Sequence, residues 1–101
     1  MSAWNSNGLT VRSVSGTTDT VLATDDVVIY TNTSAKAVAL PAGSVQLGKV
    51  YHFSNQATGA VTITPASGTI DGAATQTVAA GAAGAPIVRK LVSDGTNWFT
   101  F

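Results

Sequence analysis

Residues 49–64 read KVYHFSNQATGAVTIT, and this stretch decides the fold class. Its two runs, Lys49–Ser54 and Ala60–Thr64, alternate apolar and polar residues with the two-residue period of a β-strand that has one buried face. Five residues ending in Gly59 separate the runs, which is a length typical of a β-hairpin, so we expect the two strands to pair with each other. The side chains predicted to face the core are Tyr51, Phe53, Val61 and Ile63.

The same alternation extends along the rest of the chain. Short β-rich runs are separated by Gly, Asn, Asp and Ser at intervals of about 8–12 residues, which is the spacing of a sandwich or barrel. The predicted strands are Leu9–Val14, Thr20–Ala23, Val27–Thr31, Ala37–Leu40, Lys49–Ser54, Ala60–Thr64, Thr75–Ala79, Pro86–Val92 and Asn97–Phe101. We therefore expect an all-β fold, a β-sandwich or β-prism (jelly-roll-like) of about eight or nine short, mostly antiparallel strands.

The first eight residues, MSAWNSNG, lack this alternation and are predicted to be an N-terminal arm, with residues 9–101 forming a single all-β domain. The arm contains one large apolar side chain, Trp4. An exposed Trp is costly, so we expect Trp4 to dock on its own domain, on a neighbouring subunit or on a larger assembly.

Composition and charge exclude several classes of function. The chain is 45% hydrophobic and 10% charged, it has no glutamate, and its formal net charge is zero, which argues against nucleic acid or an anionic membrane as partner. The absence of cysteine excludes disulfides, thiolate metal sites and cysteine nucleophiles. Residues 1–5 lack the features of a signal peptide, and no apolar run approaches the ~18–20 residues of a membrane span. We therefore expect a soluble protein without a classical secretion leader.

The stretch SDGTNWFTF, residues 93–101, has the highest aromatic density in the chain. Asp94-Gly95 is a turn signal, so the last five residues are predicted to return beside Pro86–Val92 as a hairpin strand. Alternation would place Trp98 on one face of this strand and Phe99 with Phe101 on the other. We expect both faces to be covered, one by the core and the other by a loop, the arm or a neighbouring subunit. A second turn signal, Asp71-Gly72, fits a type I′ connection.

No motif in the chain predicts catalysis or metal binding. His52 is the single histidine, and its place on the outward side of a predicted strand favours an ordinary sheet residue over a catalyst. No G-x-S-x-G motif surrounds a serine. Asp25-Asp26 lacks the spacing of a calcium loop and is interpreted as a polar turn. We therefore predict no catalytic residues, no cofactor and no metal ligands.

Arg89 and Lys90 interrupt the apolar run from Ile87 to Val92, one on each face of the predicted strand. Two explanations are open. The charges prevent unwanted pairing of an edge strand, or they form an ion pair across an interface with a subunit or another partner. The candidate contacts to a partner or a second copy are Trp4, Arg89, Lys90, Trp98, Phe99 and Phe101.

Residues 20–101 resemble, in the order of their pieces, a module that recurs in bacteriophage virion proteins such as tail fibres, tailspikes and capsid-surface fibres. The pieces are an "LP" corner, a "GK" that opens a strand ending in Asn, then "VTITP", "G" and "IDG", and a closing "SDGTNW". In this chain they are Leu40-Pro41, Gly48-Lys49 with Asn55, Val61–Pro65, Gly68, Ile70–Gly72 and Ser93–Trp98. The resemblance implies a β-sandwich or β-prism subunit that assembles into trimers on a virion, and it implies no catalytic residues.

Two binding functions and one enzymatic function follow from this reasoning. The first is a capsid decoration (cement) protein, made in the host cytoplasm and located on the capsid surface, where a homotrimer binds the major capsid protein or another virion protein. The alternative is a receptor-facing tail-fibre or spike tip that binds host-surface glycans through Tyr30, Tyr51 or Trp98. A glycan-degrading enzyme would need a pair of carboxylates among Asp25, Asp26 and Asp71, and nothing else in the sequence favours it.

Overall fold

A computed structural model describes residues 9–45 and 47–101, which form two β-sheets around one hydrophobic core. The strands are β1 (Val11–Val14), β2 (Thr18–Thr20), β3 (Val27–Tyr30), β4 (Lys36–Leu40), β5 (Val50–Asn55), β6 (Val61–Pro65), β7 (Gln76–Val78), β8 (Ile87–Ser93) and β9 (Trp98–Thr100). A 3-10 turn spans Gly43–Val45. The predicted all-β sandwich is confirmed.

The chain alternates between the two sheets over its first six strands. One sheet has five strands in the order β1-β3-β5-β8-β9, and the other has four in the order β2-β4-β6-β7. Neighbouring strands among β1–β6 are parallel, whereas the pairs β5–β8, β6–β7 and β8–β9 are antiparallel. Four of these seven pairs are parallel, so the expectation of a mostly antiparallel, jelly-roll-like arrangement was wrong.

The predicted hairpin between residues 49–54 and 60–64 was also wrong, because β5 and β6 lie in opposite sheets. The loop between them crosses the sandwich and bonds to the equivalent loop after β3. The Gln56 N–H donates to the Tyr30 carbonyl (2.8 Å), and the Thr58 N–H donates to the Asn32 carbonyl (3.2 Å). The four side chains predicted to face the core are all buried. Alternation therefore identified the buried faces, but these faces oppose each other across the core instead of sharing a sheet.

Each time the chain passes from one sheet to the other and back, it forms a coil, and this coil stacks on the one before it. Residue 27 lies opposite residue 52 in one sheet and residue 36 opposite residue 61 in the other, an offset of 25 in both. Gly59 permits this stacking, because a Cβ atom at that position would overlap the backbone of Ser34 and Ala35. The backbones of consecutive coils are therefore in direct contact at this point, as in a short solenoid.

The core joins aromatic residues of the five-stranded sheet to aliphatic residues of the other sheet. Tyr51 lies between Phe53 and Trp98, with ring centroids 6.0 and 5.3 Å away. The Trp98 indole N–H donates to the carbonyl of Pro41 (2.9 Å), the Tyr51 hydroxyl to that of Leu22 (3.1 Å), and the Tyr30 hydroxyl to the Asp19 carboxylate (3.0 Å). All three acceptors lie on β2 or in the segments that follow β2 and β4, so the polar ends of these side chains bridge the two sheets.

Both predicted turns are confirmed. Asp71 and Gly72 have φ of 52° and 80°, as a type I′ turn requires. Asp94 begins the turn before β9, where its N–H donates to the Asn97 carbonyl (3.1 Å). One strand is displaced from its prediction, since β2 ends at Thr20 and not at Ala23. The reason is a turn after Val21, in which the Asp25 carboxylate accepts the Leu22 N–H (2.9 Å).

Candidate partner-binding face

The outer side of the five-stranded sheet is apolar, and we call it the apolar face. Register places three rows of outward side chains across it. The rows are Val50–Val92–Phe99, Val11–Val27–His52–Lys90–Phe101 and Ser13–Ile29–Ser54–Val88. Val88 is 59% exposed and Phe101 is 62% exposed.

The outer side of the four-stranded sheet is different and serves as an internal comparison. Its rows are Thr18–Ala37–Thr62–Thr77 and Thr20–Ala39–Thr64, so it presents hydroxyl and methyl groups. We call it the Thr/Ala face. A sandwich needs only its inner faces to be apolar. The large apolar side chains on one outer face are therefore not required by the fold.

A shallow groove of about 740 Å³ lies on the apolar face. Apolar atoms form most of its lining, and the apolar side chains include Leu9, Val27, Val88 and Phe101. The polar residues that line it are His52, Ser54, Arg89, Lys90 and Thr100. Grooves of this size, mostly apolar with a few polar groups, are typical of binding sites in proteins.

His52 and Lys90 are adjacent at the centre of the groove. They are direct partners in the register of β5 and β8. The Lys90 ammonium lies 4.7 Å from the centroid of the Phe101 ring, which is a cation–π contact. Among the described residues, no carboxylate forms a salt bridge with Lys90. The polar centre of the apolar face is therefore basic.

All five aspartates of the chain have partners elsewhere. Asp19 and Asp25 bind Arg12 (2.7 Å each), and Asp26 binds Lys49 (3.2 Å). Asp71 accepts hydrogen bonds from the N–H and hydroxyl of Thr100, and Asp94 accepts from two N–H groups of its own turn. The acidic groups therefore stabilise turns and edges, and none of them neutralises the centre of the apolar face.

Arg12 holds the edges of the two sheets together. It projects inward from β1 and binds Asp19 of β2 and Asp25 of the following turn, both of which are nearly inaccessible to solvent. Burial of the Asp25 carboxyl disfavours its ionisation. The hydrogen bonds from Arg12 and from the Leu22 N–H outweigh burial and hold the pKa of Asp25 below its ordinary value. The cluster is internally satisfied, which is typical of a structural ion pair and not of a catalytic pair.

Asp25-Asp26 was interpreted as a polar turn, and the structure places it in one, with each carboxylate bound to a different cation. Among the described residues, no group of three or more potential metal ligands comes together. In the same part of the chain, no helix has the length and hydropathy that a membrane span requires.

The predicted partner contacts divide into three groups. Lys90, Phe99 and Phe101 lie on the apolar face. Trp98 is 1% exposed and belongs to the core, so it is not available to a partner. Trp4 lies outside the described residues.

Arg89 alternates with Lys90 along β8 but also lines the groove, and its Nη1 donates to the Val88 carbonyl (3.0 Å). β8 lies between β5 and β9, but β9 pairs only with Leu91–Ser93, and the Phe101 N–H bonds to the Lys90 carbonyl. Arg89 therefore lies where β8 is still an edge, and its explanation as an edge-strand charge stays a prediction.

Sequence reasoning missed the contribution of β1, β3 and the outward side of β5 to this face. Val11, Val27, Ile29 and Val50 belong to it but were not singled out. The run Val27–Tyr30 contains four consecutive apolar residues, and such a run indicates a strand with both faces covered. This signal could have identified the face.

The aromatic residues proposed for glycan stacking are all buried. Tyr30, Tyr51 and Trp98 are each no more than 1% exposed. They cannot stack on a sugar while the core is intact.

No family model matches the chain, and no curated protein matches it.

Proposed function

We propose that this protein is a structural component of a bacteriophage particle, a capsid decoration protein that attaches to the outer head surface as a homotrimer. The observation that carries the proposal is the apolar face. Large exposed apolar patches on a folded chain are typical of surfaces that bind another protein. The resemblance of residues 20–101 to phage virion modules supplies the biological setting.

The size of the apolar face favours attachment through several copies. Five strands at ~4.8 Å spacing and about six residues at ~3.3 Å each give a plane of roughly 20 × 20 Å, or ~400 Å². A standard stable interface buries ~800 Å² on each partner. One copy therefore offers about half of what stable attachment needs, and linking three copies multiplies the affinity without any new contact.

The chemistry of the described residues favours a binding role over an enzymatic one. Three aspartates were candidates for a catalytic carboxylate pair. Asp25 and Asp26 each form a salt bridge, and Asp71 accepts hydrogen bonds from Thr100. The glycan-binding alternative depended on three aromatic residues, and all three are buried. Attachment through the apolar face needs no further group.

The experiment has two parts. Light scattering and sedimentation equilibrium would measure the mass of the purified protein, and heads that lack the protein would be incubated with it and sedimented. We expect a trimer that co-sediments with heads, and we expect Val88→Ser with Phe101→Ser to abolish co-sedimentation. Thr62→Ser with Thr64→Ser, on the Thr/Ala face, is the matched control. A monomer that never binds heads would overturn the proposal.

A further inference from the structure

We infer that the apolar face binds a protein surface that is itself apolar and presents a carboxylate to Lys90 and His52. The inference rests on the proposed function, because it names the chemistry of the surface to which this protein attaches. Its basis is charge complementarity at the centre of the face.

The first step concerns desolvation. When a partner covers the groove, the Lys90 ammonium loses its water, and an unpaired buried charge is strongly unfavourable. The Phe101 ring, at 4.7 Å, compensates only in part. An anionic group on the partner would restore the balance, and a carboxylate can accept hydrogen bonds from the ammonium and from an imidazole N–H together.

The second step excludes the possibility that an acidic side chain of this chain neutralises Lys90. All five aspartates are engaged at turns or in ion pairs away from this centre. No acidic side chain occupies the three rows of the face. No carboxylate of the described residues, that of Phe101 included, forms a salt bridge with Lys90. The anion that would pair with Lys90 is therefore expected from the partner.

The third step concerns a second copy of this chain as the occupant. Two copies that met through the same face would bring two Lys90 ammonium groups and two His52 rings to one centre without an acid. Like charges placed opposite each other in an interface cost several kcal/mol. A face-to-face pair of copies is therefore disfavoured, and the occupant is a surface of different chemistry from this face.

The test uses the whole chain and surfaces of defined chemistry. Alkanethiol monolayers on gold would be prepared with methyl groups mixed with carboxylate, hydroxyl or trimethylammonium groups at equal density. Surface plasmon resonance would measure adsorption of the wild type, of Lys90→Met and of Lys49→Met. Lys49→Met is the matched control, because it removes the same charge from a lysine that pairs with Asp26 and does not line the groove. Unchanged circular dichroism would establish that each variant is folded.

We expect the wild type to adsorb about tenfold more tightly to the methyl/carboxylate monolayer than to the methyl/trimethylammonium one, a difference typical of one charge pair. Lys90→Met should abolish this preference, and Lys49→Met should retain it. Equal wild-type adsorption on the two surfaces would overturn the inference, as would tighter adsorption of Lys90→Met to the carboxylate surface. Wild-type dimers in sedimentation that Val88→Ser with Phe101→Ser dissociates would overturn it in favour of a second copy.

Head binding separates this inference from the proposed function. If the wild type binds heads and Lys90→Met binds them as tightly, the function stands and the carboxylate partner is wrong. If the wild type does not bind heads, the function fails, and the monolayers still decide the chemistry of the face.

Discussion

At the scale of single residues, the charged groups of this protein differ sharply in how much they contribute to stability. Arg12 satisfies two carboxylates that are nearly inaccessible to solvent, whereas the Lys49 ammonium pairs with Asp26, whose side chain is 31% exposed. Removing one partner of a buried ion pair leaves an uncompensated charge, but a pair in contact with water loses little. Position therefore matters more than the number of salt bridges.

Arg12→Met should lower the free energy of unfolding by about 3–5 kcal/mol, because Asp19 and Asp25 then remain buried without a cation. Lys49→Met should cost about 1 kcal/mol or less. Urea unfolding monitored by circular dichroism would measure both. Equal losses for the two variants would contradict the assignment of Arg12 as the residue that joins the sheet edges.

Tyr51 should make the fold sensitive to alkaline pH. Burial, together with the charges of Asp25 and Asp26, raises the pKa of Tyr51 to about 12, whereas an unfolded tyrosine ionises near pH ~10. The stability that the neutral phenol provides is therefore complete below pH ~10 and is lost as the pH rises toward the folded pKa.

Tyr51→Phe loses the hydrogen bond to the Leu22 carbonyl. It should therefore be less stable than the wild type by ~1 kcal/mol at pH ~8. Because it also lacks the ionising group, this difference should shrink above pH ~10 and reverse before pH ~12, since one pKa unit already corresponds to ~1.4 kcal/mol. Urea midpoints at intervals across this range would measure the change. A constant difference between the two proteins would contradict it.

At the scale of elements, the strands are held in place by close approaches between loops. Gly43 and Gly68 occupy equivalent positions in consecutive coils, and a Cβ atom on either would lie within 2.8 Å of the Thr96 carbonyl oxygen. The turn between β8 and β9 thus rests on the backbone of two coils at once, which fixes β9 beside β8.

Gly59→Ala should destabilise the protein by about 3 kcal/mol or prevent folding, since the added methyl group would overlap the backbone of the preceding coil. Gly16→Ala is the control, because a Cβ atom there meets no atom within 4 Å. It should change stability by less than ~0.5 kcal/mol. Thermal melts of the two variants would test this, and similar melting temperatures would contradict the stacked coils.

Deletion of residues 98–101 should abolish folding, because it removes Trp98 from the core together with its hydrogen bond to Pro41. Phe99→Ser with Phe101→Ser removes the exposed aromatic rings of the same strand and should leave the fold intact. Dispersion of amide resonances in NMR spectra would distinguish the two outcomes. A native-like spectrum of the truncated chain would disprove a structural role for β9.

At the scale of the whole molecule, sequence reasoning identified the elements but not their arrangement. All nine strands were predicted near their observed positions, because inward and outward side chains alternate along a strand and this two-residue period is local. The sheet in which a strand lies depends on the loop before it. The loop that ends in Gly59 is as short as a hairpin loop, but it connects strands of opposite sheets.

A repeat at 25 residues would have predicted the coils. At this offset Val38 matches Ile63, Gly43 matches Gly68, and Ser44 matches Thr69. Repeats with periods of 20–50 residues are typical of stacked architectures. The basic centre of the apolar face was beyond sequence reasoning, because Lys90 and His52 meet only through the register of β5 and β8.

Engineered disulfides would test the arrangement in a chain that has no cysteine of its own. Val27→Cys with His52→Cys should form a disulfide on oxidation, because these residues are direct partners on parallel strands. His52→Cys with Thr62→Cys should not, since the two side chains lie on the outer faces of opposite sheets. Mass spectrometry would score both, and the reverse result would restore the hairpin between β5 and β6.

The order of the strands along the chain also determines when the apolar face comes into existence. Its central and outer parts depend on Val88, Lys90, Val92, Phe99 and Phe101, which belong to β8, β9 and the residue after β9 and are synthesised after all other strands. Until these residues have been synthesised, the apolar face is incomplete. A binding role of this face would therefore require β8 and β9 to be in place, however early the first six strands are made.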